Sequence, residues 1–143
     1  MRIISIALLL LVTIATSADT IPLKKLAPPS DLSGIWEAHG IAHDEDGAVP
    51  YTAIVTIKRH VDGYMCQWSA GPGSNILALA HRDGNTFTVA WISRNMPGVS
   101  SFKIAKGEKE MSGKWMALPS ATWEVESLRY IAPLPVKRKI GEA

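Results

Sequence analysis

A single cysteine, Cys66, stands in the chain, so no internal disulfide can form and stability has to come from a packed core. Cys66 alternates with Tyr64 and Trp68, and free cysteine is among the most buried residue types, so it reads as an apolar filler inside that core. Neither sign of charge dominates. Fifteen Lys and Arg stand against 13 Asp and Glu, a formal net charge of +2, too little for the basic face or stripe of a nucleic-acid binder. No apolar stripe of helical period lasts long enough for a sizeable helix, and no hydrophobic run reaches the ~20 residues that span a bilayer. Catalytic signatures are missing as well: there is no Gly-rich phosphate loop, nucleophile elbow, His-Glu-x-x-His or Cys-His pair in a recognisable setting. Long disorder is excluded, because 47% of residues are hydrophobic and 20% charged, the balance of a folded chain. The 143 residues suit one domain.

Among the features present, the N-terminus comes first. Met1 and Arg2 precede an apolar run from Ile3 to Ile14, followed by Ala15, Thr16, Ser17 and Ala18 and then the polar Asp19. One positive charge, an apolar core and small residues at the −3 and −1 positions predict a signal peptide over 1–18, cleaved after Ala18. The only cysteine lies far from that point, so a lipid anchor is not expected. The mature chain is expected to be secreted or periplasmic, with no stable membrane anchor. Residues 19–30 carry Pro22, Pro28, Pro29, Lys24 and Lys25 and show neither helical nor strand periodicity, which marks an extended arm. A basic tail with Lys137, Arg138 and Lys139 closes the chain over 132–143.

Between arm and tail the pattern is all-β. Alternating runs over 33–42, 51–59, 64–69, 75–81, 86–92, 99–105, 111–118 and 122–130 are separated by turn residues such as Asp62-Gly63, Asp83-Gly84-Asn85 and Pro97-Gly98, which is the signature of short strands joined by hairpins. Eight strands without crossover helices predict an antiparallel up-and-down meander over 31–131. Closing it into a small barrel removes the sheet edges; a two-sheet sandwich has the same inner-face pattern and stays open as the alternative.

The Gly34-x-Trp36 pair on the first strand of an eight-strand meander resembles the calycin superfamily of lipocalins, avidins and their relatives. The resemblance implies a barrel-end cluster in which Trp36, beside Gly34, packs against a basic residue of the last strand, here Arg129. A Thr-Asp-Tyr type motif between later strands, usual in lipocalins, is absent. The segment from Ile21 to Trp36, with Pro28-Pro29 ahead of Leu32-Ser33-Gly34, resembles the start of the small periplasmic barrel inhibitors of bacterial metalloproteases. That likeness implies a protein partner engaged through 19–30, with Asp19, Thr20 and Ile21 as inserting residues, although those inhibitors carry a disulfide.

Five tryptophans are the most distinctive chemical feature. Alternation places Trp68 with Tyr64, Trp91 with Phe87, Trp115 with Gly113, and Trp123 with Val125, so several indoles are expected to converge inside. Trp68, Trp91, Trp115 and Trp123, with Tyr64 and Phe87, are therefore the candidate binding residues for a small hydrophobic or aromatic ligand; alternatively the rings fill the interior and leave no pocket. His39 and His43 beside Asp44, Glu45 and Asp46 have no diagnostic metal spacing on a strand running into a loop, so no metal or cofactor is expected. Glu124 and Glu126, two apart on one strand, are the one carboxylate pair with glycosidase potential; with Thr122 and Leu128 as neighbours, that face reads as solvent-exposed. The expectation is a non-enzymatic binding barrel, with an arm-mediated interaction or inhibitor protein as the alternative.

Overall fold

The Asp62-Gly63 and Asp83-Gly84-Asn85 signals each close two neighbouring strands, and the computed structural model, which describes residues 30–136, carries the meander round to closure. The expected signal segment at 1–18, the arm up to residue 29 and the cluster Lys137, Arg138 and Lys139 lie outside the described residues. The strands are β1 Gly34–Asp44, β2 Gly47–His60, β3 Gly63–Ser69, β4 Asn75–Asp83, β5 Thr86–Ser93, β6 Met96–Ile104, β7 Glu110–Ala117 and β8 Glu124–Ala132. Every strand pairs antiparallel with its sequence neighbour, and β8 returns to β1. The barrel is closed, so the sandwich is excluded and none of the eight described strands presents a free edge for unwanted pairing.

Two turns differ from expectation. The β5–β6 hairpin turns at Arg94-Asn95, both with positive φ (48° and 67°), as two-residue hairpin turns favour. Pro97 and Gly98 instead continue into β6, opposite Ile92 and Trp91. At the other hairpin, Asp44 pairs directly with Gly47, so β2 starts before Tyr51 and the β1–β2 ribbon projects through Val49 and Pro50.

Alternation assigns every second side chain to the interior, and the interior divides into two halves. Trp36, Ile57, Tyr64, Phe87, Phe102, Met111 and Leu128 are all fully buried in one half. Each such side chain contributes about 1.5–3 kcal/mol relative to exposure. Leu32 plugs the end of this half, its carbonyl accepting the Trp36 indole N–H at 3.1 Å. Arg82 anchors the same end by pairing with Glu108 and donating to the Ser30 carbonyl at 2.9 Å. Cys66 is buried and free, its thiol pushed up to about 12 by burial.

The expected Trp36–Arg129 contact does not form. Glu37 and Arg129 are register partners on β1 and β8; both point outward and pair at 2.7 Å. Tyr130, one residue on, has the inward parity: its ring meets Trp36 edge-on at 5.4 Å and covers Gly34. The basic groups at the closed end come instead from the middle of the chain. Besides Arg82, Arg59 donates to the Tyr64 hydroxyl at 3.2 Å and lies over its ring.

Candidate ligand site at the open end of the barrel

In the other half, large rings alternate with very small residues and space is left between them. Trp68 (β3), Trp91 (β5), Trp115 (β7) and Tyr51 (β2) surround a cavity of about 220 Å³, with Ala42, Ala53 and Ala70 among its walls and the Glu126 carboxylate of β8 on one side. A dry cavity of about 150 Å³ is enough for benzene, so this space suits one ring with a short chain.

Two glycines make the ring arrangement possible. Gly98 is the register partner of Trp91, and a Cβ there would fall 2.1 Å from the indole; without one, Trp91 lies flat across β6 and reaches Trp115, 6.0 Å away at 65°. Gly40 pairs with Tyr51 on one side and Glu126 on the other. A Cβ at Gly40 would collide with the phenol at 2.2 Å, so the bare backbone lets Tyr51 cross β1 and donate its hydroxyl to Glu126 Oε2 at 2.6 Å.

The polar groups are sparse and specific. Glu126 is only 7% exposed; Oε1 accepts the Trp68 indole N–H at 3.2 Å. No basic side chain pairs with it among the described residues. Burial raises the Glu126 carboxyl above its ordinary 4.5, against the lowering effect of the two donors. Tyr51 is held strongly protonated by burial and by the adjacent Glu126 charge, which keeps it a donor. The Trp91 indole donates to Ser100 at 3.0 Å, whereas the buried Trp115 Nε1 has no hydrogen-bond partner among the described residues. Nearer the rim, Glu124 is buried too and accepts from the His43 backbone at 3.1 Å and ring Nδ1 at 2.6 Å.

The expected ligand residues therefore separate. Trp68, Trp91 and Trp115 converge on the cavity. Tyr64 and Phe87 meet each other at 5.5 Å in the packed half, away from it. Trp123 is excluded from the interior: it is 44% exposed, with the Lys114 ammonium 4.7 Å over its ring. The reason is parity at the start of β8, where Glu124, Glu126 and Leu128 point inward, while Val125 and Trp123, the residue just before the strand, are exposed. The solvent-exposed assignment of the two glutamates is thereby reversed. Sequence reasoning misses Tyr51 as a site residue and considers Glu126 only as half of a carboxylate pair on a solvent-exposed face; the shared face of Tyr51, Ala53, Val55 and Ile57 is the available signal for the first, and the parity of Glu126 with Leu128 for the second. His39 sits on Glu37 at 3.0 Å outside the barrel, and no group of three potential metal ligands occurs among the described residues.

The raised Glu126 carboxyl has a consequence for stability. A folded-state value above the unfolded one means that the native state holds its proton more tightly; the associated stability is complete below the ordinary value and is lost as pH rises through the raised one. Tyr51 from β2 and Trp68 from β3 face this group, with Glu124 and its partner His43 nearer the rim. Glu37 and Glu108, both lowered by their ion pairs and hydrogen bonds, act in the opposite sense and at acid pH. Between pH 4.5 and pH 9, Glu126→Gln is therefore expected to gain stability relative to wild type as pH rises. Urea unfolding of both proteins across that range measures this; a difference independent of pH would contradict it.

Compared with known families and curated proteins, the chain matches no family model and no curated sequence.

Proposed function

We propose that this chain is an exported, non-enzymatic barrel that holds a small apolar or aromatic ligand in the open-end cavity. The observation that carries this reading is the convergence of Trp68, Trp91, Trp115 and Tyr51 around an unfilled space of about 220 Å³ with a single carboxylate inside it. Pockets of this kind, mostly apolar with a few placed polar groups, bind small molecules. The closed eight-strand meander is compatible with a calycin-like barrel, and the Met1–Ala18 pattern supports export.

The carboxylates support binding over hydrolysis. Glu124 and Glu126 sit two apart on one strand and both point inward, one engaged by His43 and the other by Tyr51 and Trp68. A glycosidase needs two carboxyl groups flanking the scissile bond from opposite sides.

Native mass spectrometry of the protein purified from its own host provides the test. Wild type is expected to carry an extra mass on the order of a hundred daltons, one ring with a short chain, that disappears on denaturation. Ala53→Leu, which places a larger side chain at a buried cavity wall, is expected to lose it, as is the rim variant Ala70→Leu. A bare chain for wild type, or an adduct retained in both variants, would contradict the proposal.

A further inference from the structure

The chemical class of the ligand follows from the walls of this cavity, and rests on the binding role proposed for it. We infer that the open-end cavity selects an organic cation, a primary or secondary ammonium on a small apolar body, by presenting the unpaired Glu126 carboxylate inside a ring of indoles. Three observations converge on this.

First, the charge is placed inside and left without a counterion. Glu126 lines the cavity and is nearly buried, and among the described residues no Lys, Arg or His pairs with it. A buried carboxylate without a cation is costly, and a ligand ammonium supplies the missing partner.

Second, the carboxylate is oriented but not saturated. Its two hydrogen bonds come from the Tyr51 hydroxyl and the Trp68 indole, one to each oxygen, while an ionised carboxyl has about four acceptor sites. The Tyr51 contact depends on the bare Gly40, so the carboxylate is held in place from across the barrel wall. The remaining lone pairs meet no donor among the described residues, and a charge-assisted donor is roughly twice as strong as a neutral one.

Third, the walls suit a cation. Trp68, Trp91, Trp115 and Tyr51 surround the same space, with Tyr51–Trp115 at 6.5 Å and Trp91–Trp115 at 6.0 Å, both edge-to-face. Rings at steep angles to one another present π faces from several directions, and indole is the best cation–π acceptor among the side chains.

Calorimetric titration of the full-length mature protein at pH 8 tests the inference with three probes of one skeleton: 2-phenylethylammonium, 2-phenylethanol and 3-phenylpropanoate. The ammonium is expected to bind wild type roughly tenfold or more tightly than the alcohol, the fold-change that one charge-assisted contact produces, and the carboxylate not at all. Glu126→Gln keeps the shape and is expected to bring the ammonium-to-alcohol ratio close to one. If that variant does not fold, the wild-type ratio decides alone. Equal or tighter binding of the alcohol, or a preference that survives Glu126→Gln, overturns cation selection while leaving the cavity as a binding site. Tightest binding of the carboxylate overturns it as well. Failure of all three probes to bind overturns both the inference and the cavity reading.

Discussion

Phe87→Ala is expected to destabilise the barrel by about 3–5 kcal/mol, the range for removing a fully buried aromatic side chain. Phe87 has no exposed surface. It faces Phe102 across the β5–β6 ladder and meets the Tyr64 ring at 5.5 Å, so its loss opens a void that rigid strands on a closed sheet collapse poorly to fill. Trp91, two inner positions along the same strand, is expected to cost less when truncated, because it already borders open space and is only partly buried. Urea unfolding of the two variants compares the halves of the barrel directly. Equal losses would mean that the interior is packed alike throughout, and the division into a solid half and a hollow half would be wrong.

The second large effect is on binding. Replacing Trp91 and Trp115 together by Ala removes two of the three indoles and the edge-to-face pair between them. An aromatic contact with the ligand is worth about 0.5–1.5 kcal/mol per ring, so with both rings lost affinity for 2-phenylethanol or 2-phenylethylammonium is expected to fall by up to about a hundredfold, near 2.8 kcal/mol. The same double variant is expected to unfold at a urea concentration above that of Phe87→Ala. Equilibrium titration followed by the remaining Trp emission measures the first quantity; retained affinity would move the binding site away from the open end.

Much of the architecture is legible in short-range pattern. The hairpin residues and period-two alternation locate eight strands, and the absence of crossover segments leaves a meander whose closure satisfies every edge. Alternation defines two faces of a strand without naming the inner one. On β8 the apolar residues are split, with Val125 and Ile131 outside and Leu128 and Tyr130 inside, so the parity of Trp123, Glu124, Glu126 and Arg129 depends on the register with β1 and β7. That register is a property of the closed sheet. Glu126 is tolerated inside because donors on β2 and β3, 75 and 58 residues away in sequence, reach its oxygens. No local pattern on β8 records them. The Pro97-Gly98 pair misleads for a related reason: its glycine is required under the Trp91 ring, and the turn itself is made by Arg94 and Asn95. Gly40 is opaque in the same way, since only its two register partners explain its missing side chain.

The five tryptophans offer the most direct test of the central claim, because each indole N–H gives one resolved signal in a two-dimensional nitrogen–proton spectrum and the structure divides them cleanly. Trp68, Trp91 and Trp115 line the cavity, Trp36 is sealed in the packed half, and Trp123 is on the outside. Titration with 2-phenylethylammonium and 2-phenylethanol is expected to shift the signals of the first three and leave those of Trp36 and Trp123 in place. Movement confined to Trp36 or Trp123, or no movement with either probe up to its solubility, would contradict a ligand site at the open end of the barrel.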